Sequence, residues 1–256
     1  MSMQVEKEKR SEHSIGLING FIAYIIWGAV ILYWPYLAPA KPLEILAHRI
    51  LWSLLFVAAI LIYQKRIVSL KVVMKNARQM KLLAVASVLI GVNWGLFIWA
   101  SMNGHVLDSS LGYYITPLLN VALGVFFFKE KLRPMQWLAI GIAGFAVLFI
   151  TLAMGVVPWV ALSLSTSFTM YGYVKKLANV QALESLMIET LILTPVAIGY
   201  LIWLQFNGGN TFLEYGLDHT LWMASAGIFT AIPLLAFGVA ITRLPFTTLG
   251  MLQYIG

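Results

Sequence analysis

The sequence contains no cysteine and few charged residues. None of its 256 residues is Cys, 11% are charged and 61% are hydrophobic. Without cysteine, disulfides, thiolate metal sites and cysteine nucleophiles are excluded. Soluble domains have about 45–50% apolar and about 25% charged residues. The composition therefore excludes an ordinary soluble domain and a disordered chain, and it predicts an all-α integral membrane protein whose first partner is the lipid bilayer.

Long blocks of apolar residues with few or no charges predict the membrane-spanning helices. Eight complete spans are predicted, at residues 15–37, 42–63, 82–102, 110–128, 135–157, 159–174, 182–206 and 220–242, and a ninth begins near Phe246. A helix from there to Gly256 would rise only about 16 Å, roughly half of the hydrocarbon core. We therefore expect the rest of the ninth span and a tenth span to be missing from this sequence.

Basic residues predict the orientation of the chain. Fifteen of the 17 Lys and Arg residues fall in the N-terminal tail or in alternate loops, whereas Lys41 lies in an opposite loop and Arg49 inside a span. Because Lys and Arg gather in cytoplasmic loops, the N-terminus is predicted to be cytoplasmic. The net charge of +7 is thereby explained by the membrane orientation, and no nucleic-acid partner is expected.

A shift of 140 positions reveals an internal repeat. It places Leu43 and Glu44 on Leu183 and Glu184, and the same shift aligns spans 3 and 4 with spans 8 and 9. Because the unit has five spans, an odd number, the second copy must be inverted, as in many secondary transporters with a site near the midplane. We predict a cytoplasmic tail at 1–14, a first five-helix repeat at 15–157 and a truncated inverted repeat at 158–256, with ten transmembrane helices expected in full.

Polar and aromatic side chains inside the predicted spans are candidates for a substrate cavity. The predicted cavity residues are His48, Arg49, Asn93, Trp94, Tyr114, Asn120 and Glu189. Ionisable groups within a bilayer cost about 2.5–3.5 kcal/mol on insertion scales, so they are functional candidates by default. Aromatic groups at mid-depth suit an amphipathic or aromatic substrate. Trp34, near the end of a span, is interpreted instead as part of an interfacial belt.

Two of the ionisable candidates are equivalent under the repeat. Arg49 and Glu189 lie 140 positions apart and have opposite charge, so we predict an ion pair across the pseudo-twofold axis. This pair either locks the halves together or lines the cavity, where Arg49 would attract an anionic group. His48, whose unperturbed pKa lies near neutral pH, and Glu189 are candidates for proton coupling; a hydrogen-bonded structural role for His48 is the alternative.

Enzyme signatures are missing from the sequence. No HExxH, GxSxG, P-loop or GxGxxG stands in a usable context, and there is no Cys/His cluster, so we expect no catalytic residue, no metal and no cofactor. Ser109 and Ser110 lie near His105, but a helix-capping role is predicted for them. The alternatives to a transporter are a membrane assembly protein without transport and an intramembrane enzyme.

The motifs resemble a known family. The run NWGLFIWASMNGHVLDSSLGYYITPLLNVALGVFFFKEKLRPMQWLAI (93–140), the opening GLINGFIAYIIWGAVILYWPYL, the Glu44-x-x-x-His48-Arg49 element and the late TTLGMLQYIG are similar to the RarD family of EamA-type transporters, within the drug/metabolite transporter superfamily. This resemblance implies ten helices in two inverted repeats, cytoplasmic termini and a bacterial inner membrane. It also implies secondary transport of small metabolites or drugs by a permease or exporter.

Overall fold

The computed structural model describes residues 2–155 and 157–255. Within them it contains α-helices and two short 3-10 segments, and no strand is assigned. The α-helices are α1 (Ser2–Ala29), α2 (Pro42–Tyr63), α3 (Ile67–Lys75), α4 (Ala77–Met102), α5 (Val106–Phe128), α6 (Pro134–Met154), α7 (Trp159–Ala178), α8 (Ala182–Phe206), α9 (Gly216–Arg243) and α10 (Phe246–Gln253). The all-α prediction is confirmed; Met1, Val156 and Gly256, which belong to the predicted tail, fifth span and second repeat, lie outside the described residues.

Helix boundaries agree best where the sequence carries a sharp start signal. α2 begins at Pro42, which needs no intrahelical hydrogen bond for its nitrogen, and it ends at Tyr63, as predicted. α8 also has its predicted bounds. The first span differs, since α1 ends at Ala29 and the chain continues through the 3-10 segments Val30–Leu32 and Trp34–Leu37.

Six of the described helices are long and apolar enough to cross a membrane. They are α2, α4, α5, α6, α8 and α9. α1 and α7 have 28 and 20 residues, so length alone would let them span about 30 Å, but both are more polar. In α7 the polar side chains include Ser165, Ser167 and Thr169, and α7 packs between α4 and α5 rather than against lipid alone.

Contacts between helix ends identify the two opposite ends of the bundle. Glu12 in α1 pairs with Arg243 at the end of α9 (Nε–Oε2, 2.7 Å), and Arg66 after α2 pairs with Glu184 at the start of α8 (2.7 Å). We call this side of the bundle the Glu184 end. The opposite side, where Glu44 at the start of α2 meets Thr211 after α8, is the Glu44 end.

The packing follows the inverted repeat. α2 starts 140 positions before α8, and α5 starts 140 positions before α10. α4 of the first half packs on α7 of the second, and their counterparts in the opposite halves, α9 and α1, also pack together. α2 packs directly on its equivalent α8, and α5 on its equivalent α10. The described helices therefore form two inverted halves around a shared interface.

Two glycines permit the closest helix approaches at this interface. A Cβ at Gly227 in α9 would overlap the backbone of Trp52 in α2, and the Gly227 carbonyl accepts a hydrogen bond from Ser53 (2.9 Å). A Cβ at Gly250 in α10 would lie 2.7 Å from the Pro117 carbonyl oxygen in α5. Small residues of this kind let transmembrane helices approach closely.

Candidate substrate cavity

Arg49 is a cation inside the bundle that has no carboxylate partner in the described part of the chain. Its Nε donates to the Thr230 hydroxyl (2.8 Å), which itself donates to the Ala226 carbonyl. Among the described residues its other four guanidinium N–H groups have no hydrogen-bond acceptor. Because Arg49 stands seven residues after the start of α2, it lies about 10 Å along that helix from the Glu44 end.

Aromatic rings surround this guanidinium. Its carbon lies 5.1 Å from the centre of the Trp94 ring and 5.3 Å from that of Trp34, within the range of cation–π attraction. A small cavity of about 20 Å³, room for about one water molecule, lies beside it and is lined by Trp27, Val30, Tyr33, Trp34, Arg49, Ala226, Phe229 and Thr230. The cavity thus combines one hydrogen-bonding cation with several aromatic faces, a lining suited to a small ligand with an anionic group and an apolar body.

Trp34, interpreted from the sequence as part of an interfacial belt, also contacts Arg49. The 3-10 segment Trp34–Leu37 places the Trp34 ring centre 5.3 Å from the Arg49 guanidinium carbon. Sequence reasoning also missed Tyr33 and Thr230. Tyr33 is 6% exposed and its hydroxyl donates to the Trp222 carbonyl, which fixes one wall of the cavity. Nothing in the local sequence marks Thr230 as the partner of Arg49.

The predicted ion pair between Arg49 and Glu189 is wrong. Glu189 accepts hydrogen bonds from Lys175 (Nζ–Oε1, 2.6 Å), from the Tyr171 hydroxyl (2.8 Å) and from Ser185 (2.5 Å). α2 starts at the Glu44 end and α8 at the Glu184 end, so equivalent residues of these two helices lie equally far from opposite ends of the bundle. Arg49 and Glu189 each lie about 10 Å from their own end of the bundle, which keeps them apart.

The pair of Lys175 and Glu189 forms a second buried site near the Glu184 end. Lys175 is 4% and Glu189 2% exposed, and the Lys175 ammonium lies 5.2 Å from the Tyr171 ring centre. The sequence count placed Lys175 in a cytoplasmic loop, but α7 continues to Ala178 and brings the side chain inside. Its charge is neutralised within this site, in contrast to that of Arg49.

The other predicted cavity residues are distributed over the bundle. Trp94 lines the Arg49 site, whereas Asn93 donates to the Leu164 carbonyl and to Ser167 (both 2.9 Å) and so joins α4 to α7. Asn120 donates to Gln253 of α10 (3.2 Å). Tyr114 is 58% exposed. The structure therefore brings Arg49 and Trp94 together and places the other predicted residues elsewhere.

His48 lies beside the cavity but faces the Glu44 end. It is 5% exposed, and its ring stacks on Phe212 with centres 4.5 Å apart. Neither ring nitrogen has a hydrogen-bond partner among the described residues, so the structural, hydrogen-bonded alternative for His48 is not what the structure shows.

Neither serine near His105 has the predicted capping role. Ser109 and Ser110 lie in the first turn of α5 and donate back to the carbonyls of His105 and Val106 (both 3.1 Å). His105 bonds Asp108 instead (2.7 Å). In the described part of the chain there is also no group of three or more His, Cys, Asp or Glu residues that could hold a metal ion.

The six long apolar helices indicate a multi-pass membrane protein, and the comparisons with known proteins place it among transporters. The profile of the EamA-like transporter family matches residues 14–152, more than half of the chain. Protein RarD of Streptomyces exfoliatus is 45% identical over 253 residues, covering 99% of this chain and 79% of that protein. Protein RarD of Escherichia coli (strain K12) is 41% identical over 243 residues, covering 94% and 81%. The chain belongs to the EamA-like transporter family.

Two further comparisons agree with this assignment. The uncharacterized transporter YojE of Bacillus subtilis (strain 168) is 39% identical over 262 residues, covering 96% of this chain and 83% of that protein. A protein of known crystal structure, 16% identical, superposes with a TM-score of 0.70 over 94% of this chain and 84% of that one. At that identity the likeness supports the fold alone.

Proposed function

We propose that this protein is a secondary transporter for small organic molecules that carry an anionic group, such as a carboxylate, on an aromatic or apolar body. The observation that carries the proposal is Arg49, a cation that faces a cavity inside the bundle and has no neutralising carboxylate among the residues that the structure describes. A buried charge without a counter-ion is costly, so a ligand that supplies the opposite charge gains binding free energy.

The aromatic lining supports the second part of the ligand's description. Trp27, Trp34 and Phe229 present ring surfaces beside the guanidinium. A planar or apolar body would pack against these rings while its carboxylate meets the free N–H groups of Arg49, which suit bidentate carboxylate binding. Aromatic carboxylates and amphipathic amino acids have this combination.

Alternating access fits the inverted packing of the two halves. In secondary transporters with inverted repeats, one arrangement of the halves opens the site to one side and the exchanged arrangement opens it to the other. Here Glu44 and Glu184, equivalent residues, hold contacts at opposite ends of the bundle. Opening one contact while the other stays closed would expose the cavity to one side at a time.

The proposed location is the bacterial inner membrane, with the N-terminus in the cytoplasm. The Glu184 end, which receives the start of α1, would then be cytoplasmic, in accord with the basic residues of its loops. The family and the relatives' names support transport rather than catalysis, so no enzyme activity is proposed.

Ligand binding to the purified protein tests the proposed substrate class. Trp34 and Trp94 adjoin the site, so benzoate, phenylpyruvate and tryptophan are titrated against tryptophan fluorescence, with benzamide as the uncharged match of benzoate. We expect a carboxylate to bind and Arg49→Gln to weaken that binding about tenfold to a hundredfold, as for a lost hydrogen bond to a charged group. Arg78→Gln, which removes a charge outside the cavity, is the control and should bind as the parent does.

Uptake into proteoliposomes completes the test. A bound carboxylate should cross the membrane, and Arg49→Gln should reduce its flux while Arg78→Gln does not. Equal binding of benzoate and benzamide, or equal binding by the parent and Arg49→Gln, would reject the anion site. Binding without flux for each carboxylate would instead favour the membrane assembly alternative.

A further inference from the structure

The short helix α3, between α2 and α4, has one side that packs on the bundle and one that does not. On the packed side, Val73 lies in one apolar cluster with Leu83 of α4 and Ile188 of α8. Away from this cluster, Val68 and Val72 are 73% and 64% exposed. Because helical residues four positions apart are neighbours, these two valines form an exposed apolar stripe.

A stripe of basic residues lies on the same outward side. Lys71 and Lys75 are also four positions apart, and both are exposed. Six basic residues occur between positions 65 and 81, whereas residues 45–107 include no Asp or Glu. Arg66 pairs with Glu184. The other five are exposed and have no ion pair with a described residue: Lys65, Lys71, Lys75, Arg78 and Lys81. The segment therefore presents a concentrated positive charge that the described protein does not neutralise.

The neighbouring helices place α3 at the membrane surface. α2 and α4, which precede and follow it, are long and apolar enough to cross a membrane. α2 ends at Tyr63, which is 88% exposed, and tyrosine is enriched at membrane–water interfaces. α3 begins at Ile67, and four residues of chain reach at most about 14 Å. α3 is therefore held close to the level at which α2 leaves the bilayer.

The composition of α3 favours an apolar environment on its outward side as well. The helix has nine residues, and its N-cap, Arg66, makes no side-chain capping bond. Helices shorter than about 12–15 residues are marginal in water, and β-branched residues such as Val68 and Val72 are weak helix formers. Burial of the two exposed valines in the boundary between headgroups and acyl chains would stabilise the helix beyond what its packed side provides.

We propose that α3 is an interfacial helix that binds anionic phospholipids of the leaflet at the Glu184 end. Val68 and Val72 enter the boundary between headgroups and acyl chains, and Lys71 and Lys75 contact the lipid phosphates. Charge complementarity and the apolar stripe together identify the partner: a free inorganic anion would bind the lysines without the valines, whereas a phospholipid binds both. This surface is distinct from the Arg49 cavity and goes beyond the proposed transport function.

Fluorescence quenching by labelled lipids tests this proposal without any substrate. Because the chain has no cysteine, Val68→Cys provides a single site for an attached fluorophore. The labelled protein is reconstituted in phosphatidylcholine vesicles that contain a nitroxide-bearing acyl chain on either phosphatidylglycerol or phosphatidylcholine. The ratio of the two quenching efficiencies gives the preference for the anionic lipid beside α3. Each basic residue near an anionic surface strengthens binding about fivefold, so we expect a preference of about five- to tenfold at low salt. This preference should fall strongly at about 0.5 M salt, because salt screens exposed charges.

Matched variants assign the preference to α3. Lys71→Gln with Lys75→Gln removes the basic stripe and should lower the preference about three- to fivefold. Lys129→Gln with Lys131→Gln removes the same charge from exposed positions between α5 and α6 and should leave the preference unchanged. A fluorophore at Phe149→Cys, 65% exposed in α6, should be quenched equally by both lipids. If Val68→Cys does not fold, Val72→Cys takes its place.

Three outcomes would overturn the lipid site. Absence of quenching by both nitroxide lipids would place residue 68 in water instead of at the membrane surface. Equal quenching by both lipids, or a preference that persists without Lys71 and Lys75, would show that α3 does not recognise anionic headgroups and would leave its basic face for a soluble acidic partner. None of these outcomes changes the carboxylate titration of Arg49, because the quenching assay contains no substrate.

Discussion

Glu44 and Glu184, 140 positions apart, each bind the segment that follows the other's helix. Glu44 in α2 accepts from Thr211, which follows α8, and Glu184 in α8 accepts from Arg66, which follows α2 (Nη2–Oε2, 2.7 Å). Both carboxylates are fully buried. The inverted repeat therefore builds one reciprocal contact at each end of the bundle, with the same residue type at the same helical position.

The two contacts should be energetically independent. We expect Glu44→Gln and Glu184→Gln each to destabilise the protein by about 1.5–3 kcal/mol, the usual contribution of hydrogen bonds to a charged group. Because the residues lie at opposite ends, the double variant should equal the sum within about 0.5 kcal/mol. Thermal unfolding in detergent measures this, and a strongly non-additive double variant would show that the two ends are coupled in this state.

Removing only one charged partner of the Lys175–Glu189 pair should destabilise the protein strongly. Lys175→Met or Glu189→Leu alone leaves a buried charge and is expected to lose about 3–5 kcal/mol, whereas the double variant should recover most of that loss. The same unfolding assay applies. A double variant as unstable as either single one would mean that these charges do not stabilise each other.

Exchanging the charges of Arg49 and Glu189 provides a comparison for the Lys175–Glu189 double variant. Because Glu189 already has three donors and Arg49 lies near the other end, Arg49→Glu with Glu189→Arg should be no more stable than either single variant. If the exchanged protein were more stable than both single variants, residues 49 and 189 would pair, as the repeat alone predicts.

Alanine at the two interface glycines should disrupt the packing of the halves. Gly227→Ala and Gly250→Ala place a methyl group against backbone atoms of Trp52 and Pro117, so losses of about 1–3 kcal/mol or more are expected. Gly141→Ala in α6, where a Cβ meets nothing within 4 Å, should be neutral or stabilising by about 0.5–1 kcal/mol. Equal effects at all three positions would argue against a close approach at Gly227 and Gly250.

Glu130 should stabilise the first turn of α10. Its two carboxylate oxygens accept from the amides of Phe246 (2.8 Å) and Thr247 (2.9 Å), which have no intrahelical acceptor. Glu130→Ala is expected to cost about 1 kcal/mol, as for loss of a helix cap, and to speed hydrogen exchange at these amides. Glu214→Ala, at an exposed position, is the control. Unchanged exchange at Phe246 would contradict the capping role.

Most of the fold could be predicted because a membrane-spanning helix requires an apolar block of about 20 residues, which is visible in the sequence. The bounds of α2 and α8 were predicted at both ends. The starts of α4 and α5 were placed several residues too late, since hydropathy locates the bilayer and the helices extend beyond it. The break after Ala29 was missed because an apolar 3-10 segment has the same hydropathy as a helix.

The site was predictable in part. Arg49 is identified by the cost of a charge inside a span. Its predicted partner, Glu189, was chosen because the two residues are equivalent under the repeat. Equivalent residues of an inverted repeat lie near opposite ends of the bundle, so they do not meet. Lys175 was missed as the partner of Glu189 because an end-of-helix lysine resembles a loop residue. Thr230 and Trp34 meet Arg49 through tertiary packing that no local pattern encodes.

The reciprocal contacts also bear on biosynthesis. Glu44 and Glu130 belong to the first half of the chain, and their described amide donors lie in residues that leave the ribosome more than a hundred positions later. These two carboxylates can therefore gain these hydrogen bonds only after the second half of the chain has been synthesised.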